Sequence, residues 1–237
     1  SISNWFSGAD YYIERFEFSD GTVWDLNTLR GREIAYVGTT GADVVTGWDG
    51  NDRIDGGAGN DTLYTGAGTN VLLGGLGDDR LEVSGAGVHT LEGGDGNDTL
   101  NASVASTTTM RGGAGNDTMS VTFWTNASTF NGGTGIDTMT GGNAGDTYLF
   151  NLGDGKDTIT DNDFYHDLPA NEIDRVVVGT GIRPQDVVVK RVGNALVVDH
   201  INGTDGLSIT NWFSGVDYYV ERFEFSDGTV WDLNTLR

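Results

Sequence analysis

Eight residues, GGAGNDTL at 56–63, constrain this chain more than any other stretch, because they recur: GGLGDDRL from 74, GGDGNDTL from 93, GGAGNDTM from 112 and GGTGIDTM from 132. The starts lie 18, 19, 19 and 20 residues apart. A unit that returns at so regular a period cannot bury a hydrophobic face alone and has to stack on its neighbours. Written in nines, the run reads GTTGADVVT at 38, GWDGNDRID at 47, GGAGNDTLY at 56, TGAGTNVLL at 65 and GGLGDDRLE at 74. One turn of chain consumes two nines, so alternate nines fall on the same side.

The two sides differ chemically. On one, the sixth position is Asp43, Asp61, Asp79, Asp98, Asp117, Asp137 and Asp157, an unbroken column. On the other it runs Asp52, Asn70, His89, then two stretches without a recognisable aspartate, and Asp146. The intervening segments lengthen from nine residues to ten (VSGAGVHTLE, ASVASTTTMR) and eleven (VTFWTNASTFN), and all of that slack lies on the second side. Insertion is tolerated there and forbidden opposite.

Metal coordination accounts for this pattern. Glycines reach backbone angles closed to other residues, so a loop such as 56–61 can turn its carbonyl oxygens inward, and the aspartate adds a carboxylate. Two stacked loops offer about six hard oxygen ligands, a donor set suited to calcium. Zinc is disfavoured by the absence of cysteine and the presence of only three histidines. The rest of each nine reads as a short strand with one inward apolar residue: Val45, Leu63, Leu81, Leu100, Met119, Met139 and Ile159 on the aspartate side, Ile54, Leu72, Leu91, Met110, Phe130 and Tyr148 opposite. Such a core is thin, and metal binding is expected to supply much of the folding free energy.

The ends of the chain are of another kind. SISNWFSGADYYIERFEFSDGTVWDLNTLR at 1–30 returns at 208–237 with changes only at Ser3/Thr210, Ala9/Val216 and Ile13/Val220, an offset of 207 residues. The chain is therefore read as one full repeat of a tandem array plus the tail of the preceding one, the alternative being a single domain with two similar caps. Each copy reads as β-structure, with Phe16 and Phe18 alternating with polar residues before an Asp20-Gly21 turn. Upstream of the second copy, EIDRVVVG, DVVVKRVG and NALVVDHI are strand-like, the last two joined at Gly193-Asn194.

Charge narrows the partners. With 35 acidic against 13 basic residues the formal charge is −22, which opposes nucleic acid or an anionic membrane and favours cations. No apolar run approaches a membrane span, and residues 1–30 lack the basic start and apolar core of a signal peptide.

Five of the nines match the G-G-x-G-x-D-x-U-x signature fully or nearly so, and in this the chain resembles the RTX, or haemolysin-type calcium-binding, family. The stretch RVGNALVVDHINGTDGLSITNWFSGVDYYVERFEFSDGTVWDL resembles the β module that often follows such repeats. The resemblance implies an all-β chain: a parallel β-roll over 38–160, followed by a small, mainly antiparallel β module over 161–237 whose strands begin as early as 145. Residues 1–37 are then the tail of a preceding module.

It also implies calcium held between successive loops by sixth-position aspartates and by backbone carbonyls of positions one to four. Carried onto this sequence, the ligands come from Gly56, Gly57, Ala58, Gly59 and Asp61; from Gly74, Gly75, Leu76, Gly77 and Asp79; and from Gly93, Gly94, Asp95, Gly96 and Asp98. Gly112, Gly113, Ala114, Gly115 and Asp117 follow, then Gly132, Gly133, Thr134, Gly135 and Asp137. The outer sites use Asp43 at one end and Asp154 with Asp157 at the other, where Thr39 and Leu152 replace glycines. The expectation is a one-sided ladder of about six ions, offsetting about half the net charge.

Other constellations carry less. DGNDRIDG lacks the twelfth-position glutamate of an EF-hand. His89, His166 and His200 are dispersed, and pairs such as Asp161 and Asp163 arise by chance in so acidic a chain. The Asn-x-Ser/Thr sites at Asn60, Asn97 and Asn116 are by-products of GNDT. Phe123 and Trp124, in the longest insertion, read as cover for a core edge. The chain is thus expected to be a non-catalytic, calcium-dependent structural segment of a secreted or cell-surface bacterial tandem-repeat protein (adhesin, surface layer or fibre), exported unfolded by a type I system. The alternatives are the repeat region of an RTX toxin or exported enzyme, and a carbohydrate-binding module using the terminal aromatics. Its partners are calcium and neighbouring repeats, with self-association if residues 1–30 of one chain take the place of 208–237 in another.

Overall fold

The computed structural model describes residues 15–33, 35–103, 106–122, 126–162 and 173–236. Trp5 and the rest of 1–14, together with Phe123, Trp124, Asp163 and His166, lie outside the described residues.

Short strands arise because each nine gives only a few alternating residues before its glycines force a turn. The chain passes back and forth between two parallel sheets, one strand per pass. The first sheet takes Val44–Thr46, Thr62–Thr65, Arg80–Val83, Thr99–Ala102, Thr118–Val121, Thr138–Thr140 and Lys156–Thr160. The second takes Ala35–Val37, Arg53–Ala58, Gly68–Leu76, Gly87–Asp95, Ser106–Ala114, Thr129–Thr134 and Thr147–Phe150. The result is a parallel β-roll of about six turns.

Register is one residue to one residue. Leu63 lies opposite Leu81, Leu81 opposite Leu100, Leu100 opposite Met119, Met119 opposite Met139 and Met139 opposite Ile159. In the other sheet the run is Ile54, Leu72, Leu91, Met110, Phe130 and Tyr148. All of these are fully buried, and Phe130 and Tyr148 stack with ring centroids 5.1 Å apart. The core is thicker than one apolar residue per strand, however. Val83, Ala102 and Val121, two positions further along the first sheet, are buried too, because a strand returns to the same face every second residue.

The C-terminal strands extend these sheets. Arg175–Val178 adds in parallel beside Thr147–Phe150 and carries Arg222–Phe225 in parallel on its other edge, while Gly206–Ile209 adds in parallel beside Lys156–Thr160. Antiparallel pairing enters through the hairpin Val187–Val192/Ala195–His200, turned at 193–194, through its pairing with Gly206–Ile209, and through the short Arg222–Phe225/Val230–Trp231 pair. The antiparallel module expected from the sequence is thus built on the roll's own edges, where Trp212, Phe223 and Phe225 are buried in a core continuous with that of the roll. At the other end, Arg15–Glu17 and Val23–Asp25 form a separate two-stranded hairpin. It leads into helix Leu26–Arg30, capped by the Asp25 carboxylate accepting from the Thr28 amide at 2.7 Å.

Candidate metal centre

The seven aspartates of the unbroken column sit where the second sheet turns back to the first, stacked turn on turn. Each backbone N–H donates to Oδ1 of the next aspartate: Asp43 to Asp61 at 2.7 Å, Asp61 to Asp79 at 2.7 Å, and Asp79 to Asp98 at 2.8 Å. Asp98 donates to Asp117 at 2.8 Å, Asp117 to Asp137 at 2.8 Å and Asp137 to Asp157 at 3.0 Å. One oxygen of each carboxylate from Asp61 to Asp157 is thereby fixed. The other, Oδ2, is buried without a hydrogen-bond partner on Asp61, Asp79, Asp98, Asp117 and Asp137.

These orphaned oxygens share a cradle. A Cβ built on Gly56 would meet both Oδ2 of Asp61 and, at 2.7 Å, the carbonyl oxygen of Gly74 one turn on. The same two oxygens, its own turn's aspartate and the next turn's first-glycine carbonyl, crowd the place a Cβ would take on Gly74, Gly93 and Gly112. The second and third glycines serve stacking instead. Gly75 and Gly77, at φ +114° and +117°, lie so close on the carbonyls of Gly57 and Gly59 that a side chain would overlap them.

Burial pushes the Asp79, Asp98 and Asp117 carboxyls up to about 6, with neighbouring carboxylates adding to the shift. Asp157 rises to about 7 for the same reasons. Asp61 and Asp137 are raised as well, again chiefly by burial. Such a column disfavours its own ionised state and has an unmet demand for positive charge.

The ends of the column differ from its middle. Asp43 is already held by the backbone and hydroxyl of Thr39, at 2.7 and 3.0 Å, hydrogen bonds that lower its pKa. Asp154 points back to Asn151, accepting from its amide at 2.7 Å and from its side chain at 3.1 Å. Beyond Asp157 the next strand presents Leu207 at the matching position, so the column stops. Asp205 closes the last loop by accepting from the amides of Gly153 and Gly155 at 3.0 and 3.3 Å.

On the opposite side neutral groups meet this demand in the middle only, for Asp52 at one end and Asp174 at the other each bury an Oδ2 as well. Asp52 donates to Asn70 Oδ1 at 2.8 Å, and Asn70 Nδ2 donates to the Gly66 carbonyl at 3.0 Å and lies 3.3 Å from His89 Nδ1. His89 Nε2 reaches the Gly85 carbonyl at 3.1 Å, and burial depresses its pKa, favouring the neutral ring. The register places Thr108 and then Ser128 next in line, the two positions that lack a recognisable aspartate. Loop carbonyls there receive side-chain N–H groups.

Over residues 36–63, 49–81, 84–104 and 107–120 the chain matches the RTX calcium-binding nonapeptide repeat, and over 1–28 and 196–235 the haemolysin-type calcium-binding protein related domain. The chain carries RTX calcium-binding repeats. Curated proteins give no match. Among solved structures, the crystal structure of the extracellular lipase LipA from Serratia marcescens is similar, at 20% identity and a TM-score of 0.39. The match covers 79% of this chain, which spans 38% of the lipase chain. In this RTX chain the all-oxygen set of orphaned carboxylate and backbone carbonyl fits a hard divalent cation.

Two features of the RTX ladder escape a sequence reading. Position five forms an outer column of backbone amides on side-chain oxygens: the Asp78 amide donates to Asn60 Oδ1 at 3.1 Å, that of Asn97 to Asp78 Oδ1 at 2.7 Å, that of Asn116 to Asn97 Oδ1 at 2.9 Å and that of Ile136 to Asn116 Oδ1 at 2.8 Å. Its signal is the Asn or Asp before the four central column aspartates, Asn60, Asp78, Asn97 and Asn116, a structural role for residues three of which also spell glycosylation sites. The second feature is a buried group on the opposite side, Asp146, Asp161 and Asp174, with one carboxylate oxygen of each within 4.8 Å of the others. Tyr148 donates to Asp161 at 2.7 Å beside it. Asp174 heads DRVVV just as a sixth-position aspartate heads its strand, and that is the available signal. Asp161 stands outside the register and gives none.

Proposed function

We propose that the Asp43–Asp157 side holds about six calcium ions in single file, and that the chain is a non-catalytic, calcium-dependent structural repeat of a secreted bacterial tandem-repeat protein, serving as a segment of an adhesin, surface layer or extracellular fibre. The ligand loops are those of 56–61, 74–79, 93–98, 112–117 and 132–137, with Asp43, Asp154 and Asp157 at the ends. The division into a preceding tail (1–37), a roll (38–160) and a C-terminal module (161–237) belongs to the same reading. RTX repeats are typical of secreted proteins, and no helix among the described residues is long and apolar enough to cross a membrane.

The observation that carries this reading is the row of five buried Oδ2 atoms, each against a glycine cradle, opposed by a column whose middle, at Asn70 and His89, is already filled by neutral side chains. Five buried carboxylates in file are unstable at neutral pH unless cations neutralise them. Calcium therefore acts as a folding ligand, and a stiff repeated unit that forms only in calcium suits a spacer assembled outside the cell. The test is far-UV circular dichroism of the full chain during a calcium titration. A cooperative gain of β signal at about 10⁻⁴ to 10⁻³ M, the range of extracellular modules, is the expected result. A chain already fully folded in chelator would overturn the reading.

A further inference from the structure

Residues 14–30 and 221–237 are identical in sequence, yet they stand in different surroundings. The internal geometry of the two hairpins is the same. Phe18 and Trp24 meet edge to face at 4.6 Å and 62°, Phe225 and Trp231 at 4.7 Å and 65°. The turns match as well: Gly21 has φ +85° and Gly228 +87°, and the Thr22 and Thr229 amides each donate to the preceding aspartate at 2.9 Å. Each following helix is capped by its aspartate, Asp25 or Asp232.

What differs is the seat. Strand Arg222–Phe225 lies in parallel on Arg175–Val178, with Phe223 opposite Val176 and Phe225 opposite Val178, and both phenylalanines are buried. Strand Arg15–Glu17 pairs, among the described residues, only with Val23–Asp25, and Phe18 is 41% exposed where Phe225 is 5% exposed. Among the described residues, the first hairpin is a preformed copy of a docked element with no counterpart of Arg175–Val178 beside it.

It cannot reach the seat on Arg175–Val178 that follows it in sequence. The seat lies eight strand positions along the second sheet from Ala35–Val37. That is about 38 Å at strand spacing, whereas the five residues from 30 to 35 extend to about 17 Å at most. The seat that fits it is on another molecule or another unit of the same kind.

We infer that the hairpin and helix of residues 15–30 are a docking element for a second copy of this chain, seating in parallel on that copy's Arg175–Val178 strand in the place of residues 222–236. This rests on the reading of the chain as a repeat unit. Because occupant and competitor are identical, exchange between free copies is neutral in contacts and opposed by the entropy of association. Weakening the resident segment, or tethering units in one chain, tips it toward docking.

The experiment uses the full chain in calcium with F223S/F225S, which weakens the resident segment, and the same chain carrying F16S/F18S as well. Sedimentation equilibrium is expected to show the first variant exceeding the 25.2 kDa monomer as concentration rises, and the second returning to it. A folded F223S/F225S chain that stays monomeric overturns the inference. If that variant does not fold, the chain's lack of cysteine allows an E17C chain to be mixed with a V177C chain whose resident segment carries the single change F225S, taken through calcium removal and return, and treated with a short thiol cross-linker. A mixed dimer supports docking, and its absence, while V177C/E224C links within one chain, overturns it. The calcium-induced β signal of the same samples separates failure of docking from failure of the calcium reading.

Discussion

The backbone amide of Asp79 donates to Oδ1 of Asp98, one turn further on, at 2.8 Å, while Oδ2 of Asp98 lies buried without a hydrogen-bond partner. One carboxylate thus does two jobs. It ties adjacent turns together, and it presents an anionic oxygen to the glycine loop beside it. The remaining expectations follow from that division.

The second-position glycines should be indispensable for backbone reasons. At Gly75, φ is +114° and a Cβ would overlap the carbonyl oxygen of Gly57, whereas a Cβ on Gly41 meets nothing within 4 Å. Gly75→Ala is expected to cost at least about 1–3 kcal/mol from backbone strain alone. Gly41→Ala should stay within about 0.5 kcal/mol of the parent. Thermal melts in saturating calcium compare the two directly.

The acid response of the metal-free chain should run opposite to that of the calcium-loaded one. Burial raises Asp79, Asp98 and Asp117 to about 6 and Asp157 to about 7, above the ~3.9 of an unfolded aspartate. Folding then takes up protons, so the stability these groups contribute is full below about pH 4 and is lost as pH rises through 6 to 7. In chelator, melts are expected to show a more stable chain at pH 5 than at pH 8. In calcium the order reverses, because the metal competes with those protons. A metal-free chain that gains stability toward pH 8 contradicts the buried column.

The end of the roll should depend on one side chain. Asp205 accepts from the amides of Gly153 and Gly155 and from the Asn202 side chain. Asp205→Ala leaves those two amides without their acceptor, at a cost of about 1–3 kcal/mol if water cannot replace it. Hydrogen exchange is expected to quicken at Gly153 and Gly155, with protection at Leu81 and Leu100 retained. Uniform loss of protection along the roll would show that the end is not an independent cap.

Much of this architecture is legible in the sequence because the repeat forces it. Once the nines are aligned, the column from Asp43 to Asp157 and the two apolar rows fall out of position alone, and register in the structure follows them residue for residue. What escapes is whatever the period does not encode. Thr108 and Ser128 occupy column positions without resembling their neighbours, so only the strand register reveals them. Asp146, Asp161 and Asp174 converge across a turn of irregular length. Val83, Ala102 and Val121 were hidden for another reason. The nine-residue signature draws the eye to one apolar position, while strand alternation buries a second. The C-terminal strands read as a separate module because their connections are antiparallel hairpins, yet their open edges find the roll's sheets.

The most direct measurement of the central claim is the calcium midpoint of folding in Asp98→Asn beside His89→Ala. Asp98→Asn keeps an oxygen acceptor for the Asp79 amide and removes the charge. His89→Ala deletes a neutral group at the corresponding place on the other side. The account predicts that the midpoint rises about tenfold or more for Asp98→Asn, since even residues that only support a metal ligand cost that much when changed. His89→Ala should lower stability while leaving the calcium midpoint close to that of the parent. Equal shifts in the two variants, or none in Asp98→Asn, would contradict a ladder of cations confined to the aspartate side.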